Sequence, residues 1–159
     1  MPDVPESVLP LFVAAGWRPG RCVNVPSAVP VSHPAFAVLS EFGGLTIGQV
    51  GLDEKIAFRE LDLYEKITKV WEGLLGSQLI GIAEVHNAHG ELYMDATGRY
   101  FGASYIHDAF YFEGSSFSEA IPKLILGGRA QPMLRPDRDH VVLYGETFKH
   151  DDPRIYRYS

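Results

Sequence analysis

The sequence predicts an α+β fold in which a mainly antiparallel sheet is flanked by helices, and three observations predict it. Residues 61–76, "LDLYEKITKVWEGLLG", repeat apolar side chains at three- and four-residue spacing, as an amphipathic helix does. Within residues 78–103, three short apolar segments, "QLIGIAEV", "ELYMD" and "RYFGA", are separated by turn residues, the pattern of consecutive strands. Residues 116–128, "SFSEAIPKLILGG", open on a capping residue, carry an apolar stripe and close on glycine.

The elements follow in order. In "PESVLPLFVAAGW", Ser7 is placed to cap a short helix with Val8, Leu11, Phe12 and Ala15 on one face and Gly16 past its end. "RPGRCVNVPSAVPVS" is too proline-rich for a helix and is expected to run extended. "HPAFAVLSEFGG" predicts a second helix, with Pro34 in its first turn, Ala35, Phe36, Leu39 and Phe42 inward, and Gly43 or Gly44 ending it. "LTIGQVGL" follows as a strand alternating Leu45, Ile47 and Gln49 against Thr46 and Gly48.

The long helix carries Leu63, Ile67, Val70, Trp71 and Leu74 on one face, Asp62 with Glu65 as a capping-box variant, a Glu65–Lys69 pair, and Gly76 as its stop. In the connector "DATG", Asp95 and Gly98 take the first and last turn positions, so the flanking strands form a hairpin. The last helix buries Ala120, Ile121, Leu124 and Ile125 and stops at Gly127. Its Pro122 forfeits a backbone bond unless the helix starts at Ser118 and places the proline in the first turn. Residues 129–159 read as a loop, one strand "VVLY" and a polar aromatic tail.

At 159 residues the chain is expected to form one domain, with a core over about 7–128 and an extension over 129–159. An apolar fraction of 46% with 21% charged residues is that of an ordinary globular protein, and no apolar run approaches the roughly 20 residues a bilayer span requires. The start "MPDVPESVLP" lacks the basic-then-apolar layout of a secretory signal, so the cytoplasm is the expected compartment. Cys22 is the single cysteine, cannot form an internal disulfide, and reads as a small buried thiol. Net charge is −6, but residues 41–120 carry thirteen acids and five bases while residues 121–159 carry five acids and seven bases. No basic patch suited to direct nucleic-acid binding is legible; an acidic face that attracts a basic partner is.

"EFGGLTIGQVG" is glycine-rich, but a helix precedes the glycines and a strand follows, the reverse of a phosphate-binding loop, and no Lys-Ser/Thr pair accompanies them. His86 and His89, with His107 and Asp108, are conceivable metal ligands, yet zinc wants three or four ligands in closed geometry and exposed turns explain the histidines as well. Glu84, Glu91 and Asp95 on adjacent strands could make an acid/base pair, or simply solvate a strand face. "YIHDAFYFEG" sets Tyr105, Phe110, Tyr111 and Phe112 beside Asp108 and Glu113, in a connector between the hairpin and the last helix. Such a loop suits interface anchors, or folds its aromatics back over the core.

Taken together, "LPLFVAAGWRPGRCV", "FAVLSEFGGL", "LLGSQLIGIAEV", "ELYMDATGRYFGA" and "FSEAIPKLILGG" resemble the SUKH (Smi/Knr-like) superfamily, and most closely its branch of bacterial immunity proteins with an A-G-W-x-P-G-R start. The resemblance runs from about residue 7 to residue 128 and lies in the order and spacing of the five pieces. It implies an α+β fold and a non-enzymatic protein that neutralises a cognate toxin, often a nuclease or other nucleic-acid-attacking enzyme, by binding it. It implies no catalytic residues, no cofactor, no metal and no membrane, and it leaves the oligomeric state open. It marks Gly16, Trp17, Gly20, Phe42, Gly43, Gly44, Leu45, Gly98 and Gly127 as fold determinants. The chain departs from the pattern at Pro122 and in the 31 residues after Gly128. With the acidic middle block, the resemblance leads us to expect a basic toxin, met through Asp53, Glu54, Asp108, Tyr111 and Glu113. A regulatory scaffold domain with several modest partners is the alternative.

Overall fold

A computed structural model describes residues 3–61, 66–86, 89–104 and 109–158. It bears out the α+β fold. Four helices, α1 (Leu9–Ala14), α2 (Pro34–Phe42), α3 (Lys66–Leu75) and α4 (Phe117–Ile125), accompany nine strands among the described residues. Seven of these, β1 (Thr46–Gly48), β2 (Lys55–Leu61), β3 (Ile80–Val85), β4 (Gly90–Met94), β5 (Tyr100–Ser104), β6 (Ala109–Gly114) and β7 (Gln131–Pro132), form one antiparallel sheet in sequence order. The other two, β8 (His140–Leu143) and β9 (Glu146–Lys149), form a separate hairpin.

Both faces of the sheet are covered. On one, Ile47, Ile56, Phe58, Leu92, Met94 and Tyr100 pack against Phe12 of α1, Val38, Leu39 and Phe42 of α2, and Phe117, Ile121 and Leu124 of α4. The Phe42 ring is central: it stacks on Phe117 at 4.8 Å and meets Phe12 edge-on at 5.3 Å, contacts worth about 0.5–1.5 kcal/mol each beyond burial. On the other face, Tyr93, Phe101, Phe110 and Phe112 pack against Trp71 of α3, with Trp71 and Phe110 stacked at 5.2 Å.

The "AGWRPGR" segment has a physical task at the end of α2. Trp17 Nε1 donates to Glu41 Oε2 (3.0 Å), and the Arg21 guanidinium donates to the carbonyls of Glu41 (2.6 Å) and Gly43 (2.8 Å). The orphan carbonyls of the helix end thus gain a cation, which the helix dipole also favours. Gly43 and Gly44 are a backbone junction: a Cβ on Gly43 would stand 2.5 Å from the Leu39 carbonyl oxygen, and Gly44 has φ +88°. The Gly44 amide donates to Phe58 O and the Phe58 amide to Leu45 O, so the chain enters the sheet directly after the helix.

Several expectations need correction. Ser7 does not cap α1, whose N-cap is Val8 with no side-chain bond. Between α1 and α2, residues 19–20, 27–29 and 31–33 form turns and bends while 21–26 are neither helix, strand nor turn, and Cys22 is exposed rather than buried, its Sγ 3.3 Å from Ser40 Oγ. Strand β2 was not foreseen; a bulge between Phe58 and Leu61 interrupts its alternation. "AFYFEG" is strand β6, not a connector, with Phe110 and Phe112 buried. Helix α4 is capped by Ser116, which accepts from the Glu119 amide, but it begins at Phe117, so Pro122 lies in its interior rather than in its first turn. The tail holds two strands of a hairpin plus β7, and its aromatics are docked: Tyr156 stacks on Phe112 at 3.8 Å and Tyr158 meets Trp71 edge-on at 5.4 Å. Asp62, Leu63 and Glu65 of the α3 cap, and Tyr105, His107 and Asp108, lie outside the described residues.

Candidate functional site: an acidic cleft beside helix α4

On β5 and β6 the side chains pointing toward the α4 side are Tyr100, Gly102, Ser104, Tyr111 and Glu113, since neighbours along a strand face opposite ways. Helix α4 covers part of this surface. Beyond its C-terminus a cleft of about 400 Å³ opens, within the size range of ligand-binding clefts. Its walls come from separated parts of the chain: Asp53 and Glu54 before β2, His86 and His89 between β3 and β4, Tyr111 and Glu113 on β6, and Leu143 with Tyr144 at the β8–β9 turn. Gly90 and Ser104, which pair across β4 and β5, contribute the small residues between them, and Leu124, Gly127 and Gly128 form the α4 side.

Small residues make room for an aromatic platform. A Cβ on Gly102 would stand 2.1 Å from Tyr111 Cε2, so the ring lies directly on the Gly102 backbone. At the opposite wall Tyr144 and Gly145 have φ +54° and +73°, the two left-handed residues of a type I′ hairpin turn. A tyrosine is a poor choice for that backbone, which asparagine, aspartate or glycine adopts more readily. It is held there because its hydroxyl accepts from the Ala130 amide (2.8 Å) and its ring carries the Arg129 guanidinium at 5.0 Å. His86, also at a left-handed φ of +54°, is the other non-glycine residue so strained among those described, and it too lines the cleft. Its Nδ1 is buried without a hydrogen-bond partner among the described residues.

Among the described lining residues the acids are Asp53, exposed at the mouth, Glu54, half-buried, and Glu113, 3% exposed at the inner end, and none is a lysine or arginine. Burial raises the Glu113 carboxyl from 4.5 to about 7, against the partial opposition of the Lys123 ammonium. That ammonium does not pair with the carboxyl: its hydrogen bond goes to the Glu113 backbone oxygen, at 2.8 Å. Burial likewise raises the Tyr111 hydroxyl, helped by the charge of Glu113, and raises that of Tyr144. Burial lowers His86, opposed by Glu54 and Asp53 and reinforced by His89.

Four of the five residues expected at a contact surface, Asp53, Glu54, Tyr111 and Glu113, therefore share one cleft; Asp108 lies outside the described residues. The candidate acid/base trio behaves differently. Glu84 pairs with Arg59, Glu91 accepts from Tyr93 Oη, and Asp95 is taken up by its own turn. None of the three lines the cleft. His86 and His89 do line it, but no group of three or more His, Cys, Asp or Glu among the described residues is placed to hold a metal ion. Sequence reasoning missed the Tyr144 wall, although "YG" between "VVL" and "ETFK" has the glycine of a two-residue hairpin turn. Among the described residues no helix is long and apolar enough to cross a membrane.

The family model of the SUKH-3 immunity proteins matches residues 4–127, most of the chain. No curated protein and no solved structure gives a match. The match ends at Gly127, at the end of α4, so the Leu143–Tyr144 wall of the cleft lies beyond it. By a match over most of its length, the chain belongs to the SUKH-3 immunity protein family.

Proposed function

We propose that this protein neutralises a cognate toxin by binding it through the acidic cleft, and that the toxin is a basic, nucleic-acid-attacking enzyme met in the cytoplasm. The carrying observation is the convergence of Asp53, Glu54 and Glu113 with Tyr111 and Tyr144 in one cleft that, among the described residues, no lysine or arginine lines. An enzyme that grips phosphates presents basic residues around its active site. An acidic partner meets such a surface with complementary potential, which speeds encounter and disfavours wrong partners. Tyrosines beside the acids supply the rigid apolar contact from which hot spots are built. The protein acts by occlusion and performs no chemistry; family membership supports that reading.

The test is co-expression with the C-terminal domain of a large secreted protein encoded beside this gene, where there is one, scored by growth rescue and by a stable complex on gel filtration. Charge reversal at Asp53, Glu54 and Glu113 together is expected to abolish rescue and to slow association at low salt. Absence of both rescue and complex with the native chain sinks the proposal for that pair, and rescue that survives the triple reversal moves the contact away from the cleft.

A further inference from the structure

The Glu113 carboxyl is a buried charge that the fold does not use. It is 3% exposed, and no hydrogen bond to it exists among the described residues. The nearest cation, Lys123, is bonded to the backbone oxygen of the same residue. An isolated carboxylate withdrawn from water is costly, and a glutamine or an apolar residue of similar volume would fill the same space at less cost. Nor is the group sealed in. It stands at the inner end of a cleft whose walls, Tyr111 and Tyr144, lead out to Asp53 and Glu54 at the mouth. A carboxyl left unpaired inside the molecule but open toward solvent on one side is arranged for a partner that arrives from outside.

We propose that the cleft receives one arginine side chain of the toxin, its guanidinium against the tyrosine rings and hydrogen-bonded to the Glu113 carboxylate. Arginine rather than lysine fits for three reasons. Its planar fork matches a carboxylate in two parallel bonds, it stacks on aromatic faces, and it sheds water more easily than an ammonium. The chain already uses one of these rings in this way, with Arg129 over Tyr144. Asp53 and Glu54 draw the incoming cation to the mouth. The identity of the arginine's owner rests on the toxin-binding proposal above; the chemistry of the cleft does not.

Seating the guanidinium requires an ionised Glu113, so binding releases a proton below about pH 7 and weakens as the medium is acidified. The groups facing the carboxyl are the Lys123 ammonium of α4, the Tyr111 hydroxyl of its own strand and the Tyr144 hydroxyl of the hairpin. His86, His89, Asp53 and Glu54 complete the charged lining.

Two measurements test this. In the first, the carboxyl carbon of Glu113 is titrated by NMR in the full chain with N-acetyl-arginine amide, N-acetyl-lysine amide, or the neutral N-acetyl-citrulline amide, at matched ionic strength. Arginine amide is expected to lower the Glu113 midpoint by roughly one pH unit or more at saturation, corresponding to tenfold tighter binding to the ionised form. Citrulline amide is expected to leave it in place. Equal effects of arginine and citrulline overturn the proposal, and an equal effect of lysine overturns the choice of guanidinium. In the second, Glu113→Gln is expected to weaken binding of the neighbouring toxin domain by roughly thirtyfold or more near pH 8, and by much less at pH 5.5. Unchanged affinity at pH 8 overturns the proposal while leaving toxin binding intact. If arginine amide seats but the toxin domain does not bind, the proposed function falls and the cleft chemistry stands.

Discussion

Asp95 and Glu113 are both acidic and both buried, one in the β4–β5 turn and one on strand β6, yet they live in opposite circumstances. Asp95, 0% exposed, accepts from the Thr97 amide and hydroxyl (3.0 and 2.7 Å), from the Arg99 amide (2.9 Å) and from the Arg99 guanidinium (2.8 Å). Everything it needs lies within four residues of "DATGR", and the Arg99 guanidinium is held in turn by Tyr156 Oη of the tail at 3.1 Å. Glu113 has no such local supply. The two carboxyls are alike in depth of burial; the difference lies in whether the chain itself provides the counter-groups. A satisfied carboxylate organises a turn. An unsatisfied one stores free energy that an incoming cation can release.

Four substitutions would sharpen or break this contrast. The largest effect belongs to Asp95→Ala, which strips a partly buried arginine and three donors of their acceptor; a loss of about 3–5 kcal/mol is expected in urea denaturation. A loss under about 1 kcal/mol would show that the turn does not depend on the carboxylate.

Glu113→Gln should act with the opposite sign. The folded carboxyl titrates near 7 and the unfolded one near 4.5, so the native state holds a proton that the unfolded state has released between these values. Wild-type stability is therefore full below pH 4.5 and falls as pH rises to about 7. The variant should gain on the order of 3 kcal/mol over the wild type at pH 8 and almost nothing at pH 4. A destabilised variant at pH 8 would place Glu113 among the structural carboxylates beside Asp95.

Gly102→Ala comes next. Its methyl would overlap the Tyr111 ring, and either the ring leaves the Gly102 backbone or the β5–β6 pair shifts; a cost of about 1–3 kcal/mol is expected, with altered Tyr111 ring resonances in NMR. Unchanged ring resonances would mean that Tyr111 is not fixed by this contact. The smallest effect is that of Tyr144→Phe, which removes the acceptor of the Ala130 amide and should cost about 1 kcal/mol, with faster exchange of that amide.

The parts of the fold that were legible are those with local chemistry. Ser116 before α4, Pro34 at the start of α2, Asp95 and Gly98 in the β4–β5 turn and Gly76 after α3 each act within a few residues, and each element was found. Four strands escaped, β2, β6, β7 and β9, the first two for identifiable reasons. In β2 the inward residues run Ile56, Phe58 and then Leu61, because the bulge inserts an extra residue and breaks the two-residue period. Strand β6 is buried on both faces, so "AFYF" shows no alternation to recognise. The site was half legible. Charge and aromatic content pointed to Asp53, Glu54, Tyr111 and Glu113, but nothing in sequence spacing could show that residues near 53, 88, 112 and 144 meet. The hidden half is the geometry: Gly102 receding beneath Tyr111, and a hairpin returning from the C-terminal segment to close the wall.

The sheet runs β1 to β7 in sequence order, every strand bonded to its neighbours in the chain. The β3–β4, β4–β5 and β5–β6 pairings close loops of a few residues at little cost in chain entropy, whereas β2–β3 and β6–β7 close longer connections that carry α3 and α4. The cleft is built differently: its walls draw on residues from Asp53 to Tyr144, so it is complete only with the C-terminal hairpin in place. The family match covers the chain from before α1 to the end of α4, and the Leu143–Tyr144 wall belongs to the segment that follows it.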